Sequence, residues 1–526
     1  MAPGAARAVL ALALAQPSSA LPHIVVHVVD DAGWSDFGFG GAEYPTPSID
    51  AYAANGTVLT QFYTQAVCSP TRAALLTARY PFRFGLQTAI PHAALAAIPL
   101  SSPTIAEELR GAGYSTHYLG KWHVGYASWN NTPTGRGFDT SVGYFQGEED
   151  YYSKRYCTST CVLNGTEGTC GLDFFRGRTA PNASDCGPDC SVYSSSIYQN
   201  EAVKLVAAHA GGAAAAQPLF LYVGWQAVHV PLEGPPERGA ASGGVDYTRA
   251  VANCAAVVNF RRRIYCQMLG AVDAAVGAVH DALGAAGMAE NSLVVVSTDN
   301  GGMPAFTGPT GLFCDSAGSN APLRAGKATL FEGGVRARAL ISGGALPAAA
   351  RGTTYAGLMH AVDLMPTLLQ AAGRALPGGR YADGHGIWCA LGGAARGGAE
   401  EPRVEIPHNI GTNGTANTAL RYGDLKLIVK PALRYDGYYA YDNVTVHWTP
   451  PPKGGKDKHQ LYNVSADPTE QHDLAAQMPE AVAALLDRVQ AYVNGSRGDY
   501  SNGADYSTHK EGFPDQHGGV WAPWVS

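Results

Sequence analysis

Ten polar residues, far apart in this chain, have the types needed to handle an anion with the help of a metal. Asp30-Asp31 and Asp299-Asn300-Gly301-Gly302 each follow an apolar run that reads as a strand. Three carboxylates and an amide oxygen at two strand ends suit a hard divalent cation, calcium or magnesium. The same residue types also make turns and helix caps. Gly120-Lys121-Trp122-His123 follows another such run, and an extended chain there sends Lys121 and His123 to one face. His229 follows a third run, and Lys327 follows Gly326 in a glycine-rich turn. Singly, each His or Lys is an ordinary surface or satisfied group. Gathered at one sheet edge, the cations and carboxylates describe a metal-and-oxyanion site. Cys68-Ser69-Pro70-Thr71-Arg72 precedes a helical run, Ala73 to Ala78, which puts Cys68 near a helix N-terminus that favours an anion. A thiol there has a depressed pKa and reacts; a disulfide half or an inert core thiol are the other readings.

The elements that must position these residues alternate between strand and helix. His23 to Val29 is nearly all apolar, as in a strand buried on both faces. Thr46, Pro47 and Gly56 bracket a helix with a cap, a first-turn proline and a terminating glycine. Thr104 and Glu107 form a capping box for a helix ending near Gly111. Strands follow at Ser115 to Leu119 and Leu219 to Val223. Tyr265, Met268, Leu269, Val272, Val276, Val279 and Leu283 fall at helical spacing, with Gly284 and Gly287 to end the helix before a strand at Leu293 to Ser297. This order predicts an α/β fold with a large, mostly parallel sheet sandwiched by helices. Ligands of such sheets bind beyond the carboxyl ends of the strands. Past about residue 400 the texture changes. Two strands turn at Gly423-Asp424, Tyr438 to Trp448 is another strand, 450–458 is a Pro/Gly/Lys loop, and Pro479 to Val493 is one amphipathic helix. The expected organisation is a signal peptide at 1–20, a catalytic domain at 21–400 and a smaller α+β C-terminal domain at 401–526.

Composition narrows the function classes. The chain has 526 residues, 46% hydrophobic and only 15% charged, with 36 Lys+Arg against 43 Asp+Glu and a net charge of -7. That excludes nucleic-acid binding driven by overall basic charge. No stretch approaches the ~18 apolar residues of a transmembrane helix. Arg7, the apolar run Ala8 to Ala15 and Ser18-Ser19-Ala20 read as a secretory signal, with a buried strand as the alternative. Eight Asn-x-Ser/Thr sequons, at Asn55, Asn130, Asn164, Asn182, Asn413, Asn443, Asn463 and Asn494, point the same way. So do five clustered cysteines, Cys157, Cys161, Cys170, Cys186 and Cys190, in a loop-rich segment without His at zinc-ligand spacing or a Cys-x-x-Cys pair. The expected location is secreted, or a lysosome-like endomembrane compartment.

These motifs resemble the sulfatase family. Cys68-Ser69-Pro70-Thr71-Arg72 fits its Cys-x-Pro-x-Arg signature, and Ala73 to Arg79 resembles the second half. Asp30-Asp31, Gly120 to His123, His229, Asp299 to Gly302 and Lys327 occur in family order, and the resemblance runs from about Pro22 to about Tyr492. Phe138-Asp139, Glu149-Asp150-Tyr151-Tyr152, Pro407-His408-Asn409-Ile410 and His472-Asp473-Leu474 are most similar to the arylsulfatase B (N-acetylgalactosamine-4-sulfatase) branch. The resemblance implies an alkaline-phosphatase-like fold and oxidation of Cys68 to Cα-formylglycine by a formylglycine-generating enzyme. One hydroxyl of the hydrated aldehyde attacks sulfur, and the other, once deprotonated, expels sulfate. It also implies one calcium per subunit, held by Asp30, Asp31, Asp299, Asn300 and the modified residue 68. Arg72 would hold the formylglycine hydroxyls and His123 would act as base. Lys121, His229 and Lys327 would contact sulfate, with His229 donating a proton to the leaving oxygen. A Cys157–Cys170 disulfide is implied as well, while Cys161, Cys186 and Cys190 fall in an insertion.

The leading expectation is hydrolysis of a sulfate ester on a glycan or aryl compound. A phosphate or phosphonate ester hydrolase of the same superfamily is the alternative, as is a catalytically silent secreted glycan-binding protein. Lys121 and Lys327 beside a single-metal ligand set speak against the first, and the presence of all ten positions speaks against the second. Trp122, Tyr151 and Trp225 are either pocket aromatics or core residues.

Overall fold

Apolar runs that alternate with amphipathic stretches assemble into one large sheet. A computed structural model of the chain describes residues 21–158, 168–181, 189–305, 316–374, 383–393, 403–411, 417–431, 437–441, 446–450, 458–495 and 504–526. The expected signal peptide, Cys161, Cys186, most of the 450–458 loop and the sequons at Asn164, Asn182, Asn413 and Asn443 lie outside the described residues. The sheet has ten strands. Its core runs Ser292–Thr298, His23–Val29, Leu219–Gly224, Ser115–Lys121, Thr140–Tyr144, every neighbour parallel. Arg336–Ser342 adds antiparallel to Ser292–Thr298 and pairs on its other side with Thr57–Tyr63. Thr353–Tyr355 and Met359–His360 extend that edge, and Phe175–Arg176 closes the opposite one. The fold expected from the pattern is the fold observed. His23–Val29, Leu219–Gly224 and Ser292–Thr298 are buried along almost their whole length, which is why their sequences are continuous apolar runs.

The helices form two layers. Pro47–Asn55, Ser194–Gly211 and the 26-residue Phe260–Ala285 pack together, and so do Cys68–Thr77, Ile105–Gly111 and Leu364–Ala371. The capping box at Thr104 and Glu107 is present. Thr46 behaves differently from the expectation. Its hydroxyl donates to Asp50 and accepts from Gly38 N instead of capping its helix. The Cys157–Cys170 disulfide is formed. A second joins Cys254 to Cys266, tying the end of Thr248–Asn253 to Phe260–Ala285. Cys190 is also disulfide-bonded.

Glu405–Asn409, Thr418–Tyr422, Leu425–Val429 and Gln460–Asn463 make a small antiparallel sheet, with a two-residue turn at Gly423-Asp424 as read from the sequence. The run at Tyr438 to Trp448 is two strands, Tyr438–Tyr441 and Val446–Thr449, paired antiparallel. A buried ionic cluster joins this small domain to the large one. Lys426 Nζ lies 2.9 Å from Glu332 Oε1 and 2.8 Å from Glu470 Oε1, and Tyr63 donates to Glu332 at 2.7 Å. The end of the chain then leaves the small sheet. Residues 504–526 strap across the large domain, where His509 N donates to Ala93 O, Ala96 N to Asp505 O, Trp521 N to Leu172 O and Trp524 N to Ala127 O.

Several buried acids set the pH dependence of stability. Burial pushes Asp173 up to about 7 and Asp273 up to about 6, and burial places Glu149 well above the usual carboxylate range. Unfolded carboxyls titrate near 4. Between about pH 4 and 7 the folded state therefore binds more protons than the unfolded one, and stability falls as pH rises through that window. Asp31 runs the other way. Burial would raise it, but Lys327, His229 and Lys121 hold it below the usual range, so its contribution is lost in acid. We expect the melting temperature to peak near pH 4, where the raised acids are still protonated and Asp31 is still ionised, and to fall by several degrees at pH 8. Thermal melts across pH, with Asp173→Asn flattening the slope, check this.

Candidate active site

Every one of the ten polar residues reaches the carboxyl edge of the parallel strands. Asp30 and Asp31 follow His23–Val29, Asp299 and Asn300 follow Ser292–Thr298, and Lys121 ends Ser115–Lys121. Lys327 sits just before Glu332–Val335, which leads into the antiparallel Arg336–Ser342 and so belongs to the same edge. Helix Cys68–Thr77 begins at Cys68 itself, earlier than the expected Ala73, because Pro70 falls in the first turn where its missing N–H costs nothing. Cys68 thus occupies the first helical position and Arg72 points from the next turn. One close backbone approach and one carboxylate shape the turns. A Cβ at Gly301 would fall 1.7 Å from Gly333 O, so only glycine lets the Asp299-Asn300 turn pack on the Lys327 segment. The Asp30-Asp31 loop is held by Asp36, which accepts from Gly33 N, Tyr265 Oη and Arg262.

The floor of the site is an array of ion pairs sealed from water. Arg72 binds Asp299 at 2.8 Å and donates through another nitrogen to Lys121 O at 3.0 Å. Lys121 Nζ meets Asp30 Oδ2 at 2.5 Å, and Cys68 Sγ lies 3.7 Å from Asp30 Oδ1. Nearer the mouth, Lys327 Nζ is 2.7 Å from Asp31, Asn300 Nδ2 donates to Asp31 Oδ1 at 2.8 Å, and His229 Nε2 is 3.6 Å from Asp31 Oδ2. Exposure grades outward: Lys121 and Asp30 are 0% exposed, His229 11%, Lys327 14% and Glu148 17%. Burial raises the Cys68 thiol, but Lys121 and Lys327 outweigh it and leave it well below the usual thiol range. Burial and the nearby Asp30 push Asp299 up to about 6 against the pull of Arg72. Burial and Lys327 press His229 down, yet Asp31 carries it up to about 9, so it is protonated at neutral pH. Burial lowers His123, which is therefore neutral.

Lys121 and His123 come together by a different route from strand alternation. The strand ends at Lys121, and His123 takes a left-handed φ of 54°, which turns its ring back toward Cys68. Trp122, Tyr151 and Trp225 are at most 1% exposed and belong to the core. Glu148 and Gly147 were missed in the sequence. Glu148 Oε2 stands 3.6 Å from His229 Nδ1, and a Cβ at Gly147 would lie 2.8 Å from the His123 ring. Both follow the strand Thr140–Tyr144, so the strand-end rule applied there as well would have found them.

Residues 22–374 match the family model described as Sulfatase. The chain is 32% identical to Arylsulfatase J of Mus musculus over 96% of this chain and 80% of that protein. It is 31% identical to Arylsulfatase A of Homo sapiens over 70% of this chain and 66% of that one. The crystal structure of Ps i-CgsB superposes with a TM-score of 0.68 at 25% identity, covering 92% of this chain and 94% of its own. The crystal structure of Ps i-CgsB in complex with k-i-k-neocarrahexaose superposes with the same TM-score, 0.68. The chain belongs to the sulfatase family. It is a sulfuric ester hydrolase; its relatives set the family rather than a branch within it.

Proposed function

We propose that this protein is a formylglycine- and calcium-dependent sulfatase of the secretory or lysosome-like system, acting on a sulfated glycan or an aryl sulfate. The observation that carries the reading is the placement of Cys68, at a helix N-terminus and within reach of Asp30 on a floor of paired carboxylates and cations. The donor set fits a hard cation. One donor atom each from Asp30, Asp31, Cys68 and His229 lies within 4.8 Å of the others, and Asn300 Oδ1 is buried without a hydrogen-bond partner. Asp30, Asp31, Asp299, Asn300 and residue 68 would hold the cation, and oxygen donors of this kind select calcium or magnesium. When bound and matured, the cation supplies Lewis-acid charge and the hydrated aldehyde supplies paired hydroxyls.

The chain's own residues do the remaining work. His123 donates from Nε2 to Ile90 O at 3.0 Å, so its buried, unpartnered Nδ1 is free to take a proton on the Cys68 side. His229 donates from Nδ1 to Val230 O at 2.9 Å, which leaves its Nε2 proton for the leaving oxygen. Lys121 and Lys327 bring positive charge to the sulfate oxygens, and Arg72 orients residue 68 through its fixed fork. A carbohydrate substrate agrees with the relatives: one holds a carrageenan oligosaccharide, and others are N-acetylgalactosamine-6-sulfatases.

Peptide mass spectrometry of the segment around residue 68, on protein from a secretory host with the modifying enzyme, tests the reading. We expect loss of the thiol sulfur and gain of a carbonyl oxygen, together with turnover of an aryl sulfate. An unmodified thiol in an active preparation would overturn it. Chelation should lower turnover by roughly 10²-fold or more, with recovery on adding calcium. A chelated enzyme that keeps full rate would remove the metal from the mechanism.

A further inference from the structure

A second concavity lies at the opposite end of the sheet from the catalytic edge. Its cavity volume is about 430 Å³, and its walls come from the helices Pro47–Asn55 and Phe260–Ala285 and the turn after Arg336–Ser342. That is within the ~300–1,000 Å³ span of small-molecule sites. Gly277, Gly343 and Gly344 let its walls pack closely, since a Cβ at each would fall 2.6 Å from Ser48 Oγ, 2.2 Å from Ser292 O and 2.4 Å from Glu290 Cα. Asp281 and Glu290 outnumber Arg351 around the rim, so the cleft has no positive excess to select an anion. Lined by Ser48, Tyr52 and Arg351 and without a positive excess, it suits a neutral sugar. At its edge stands Asn55, exposed, in the sequon Asn55-Gly56-Thr57.

We propose that Asn55 carries an N-linked glycan whose first sugars seat in this cleft. The modification rests on the secretory reading above; the seat rests on the geometry. Transfer forms a bond from Asn55 Nδ2 to the anomeric carbon of a polyprenyl-diphosphate-linked oligosaccharide. The anomeric C–O bond breaks, the polyprenyl diphosphate leaves, and Nδ2 gives up one proton. The amide keeps its second proton. Asn55 Nδ2 already donates to Ala51 O at 2.8 Å, and the glycosylated amide can retain that bond. Thr57, whose hydroxyl the transferring enzyme must read, is fully buried and donates to Ala350 O at 2.7 Å. Attachment therefore precedes folding, and the cleft closes around a glycan already in place. The Arg351 guanidinium is pinned at the lip by Leu346 O at 3.1 Å and Gly344 O at 2.5 Å, with outward N–H groups available to sugar oxygens.

The test is glycopeptide mapping and native deglycosylation of protein from a secretory host. Asn130 and Asn494 are exposed sequons and serve as references. Asn55 should be occupied, and an amidase should release its glycan about tenfold more slowly than those at Asn130 and Asn494 on native protein. Rates should equalise after denaturation. Arg351→Ala should bring native release at Asn55 up to the reference rate while sulfatase activity is unchanged. A bare Asn55 beside occupied references overturns the inference, and so does equal native release. If all three sites are bare, the secretory reading falls with it, and that result is distinct from the other two.

Discussion

Cys68→Ala is expected to lower turnover of sulfate esters by roughly 10⁴- to 10⁶-fold without unfolding the protein. The thiol is 3% exposed and sits where the helix N-terminus, Lys121 and Lys327 all favour a reacting oxyanion. Its replacement removes one small atom at the first helical position, while the floor pairs Arg72–Asp299 and Lys121–Asp30 remain. Cys68→Ser separates two contributions. It restores one hydroxyl but no second hydroxyl on the same carbon, so it should release alcohol once per protein molecule and then stop. Burst kinetics against an aryl sulfate, with circular dichroism to show an intact fold, read both variants. Cys389→Ala, at the other free cysteine among the described residues, should leave the rate unchanged. A Cys68→Ala protein with near-normal turnover would sink the assigned nucleophile.

Lys426→Met should be the most destabilising single change away from the catalytic floor. Glu332, Lys426 and Glu470 are all 0% exposed. Burial raises both acids; Lys426 holds Glu332 below the usual range, whereas Glu470 stays above it. Removing the lysine between them leaves Glu470 without its cation and Glu332 with only the longer contact to Arg336, at 3.5 Å. Breaking a buried pair in this way costs about 3–5 kcal/mol. The effect should reach the catalytic edge, because Glu332 opens the short helix after the Lys327 turn and Arg324 in that segment donates to Glu470 O at 3.1 Å. A lower denaturation midpoint and a raised KM for aryl sulfate are the expected results. Adding Glu332→Gln and Glu470→Gln should recover much of the stability, since neutral amides tolerate the apolar replacement better. No loss of midpoint in the single variant would mean that water reaches the cluster.

What the sequence reveals here follows from the range of the interactions. The strands His23–Val29 and Ser292–Thr298 are legible because both faces are buried and polar residues are excluded. The Thr104–Glu107 box and the Gly423-Asp424 turn are legible because the residues that make them are neighbours. Asp30, Asp31, Lys121, His123, His229, Asp299 and Asn300 could be gathered because each lies at or beyond a strand end, and the parallel order sends those ends to one edge; Cys68, Arg72 and Lys327 were legible from their motifs instead. Glu148 was hidden because Thr140–Tyr144 has no apolar run to announce it. The helix start at Cys68 was hidden because a proline reads as a break unless its first-turn position is known. The Cys254–Cys266 pair and the terminal strap leave no periodic trace, since both depend on contacts made only after the sheet exists.

That strap gives the protein a clock. Residue 68 ends up buried beside His123, and Ile90 closes over both by donating to Ser69 Oγ and accepting from His123. The segment after Ile90 is clamped at Ala93 and Ala96 by residues 505 and 509, which are made long after it. About 430 residues separate the end of the Cys68 helix from Asp505, which at ~5–20 residues per second takes on the order of 20–90 s. An enzyme that must reach residue 68 from outside has that interval, while the wall is still unlatched. Under the maturation proposed above, the speed of the ribosome, as much as the supply of the modifying enzyme, would set what fraction of molecules can turn over.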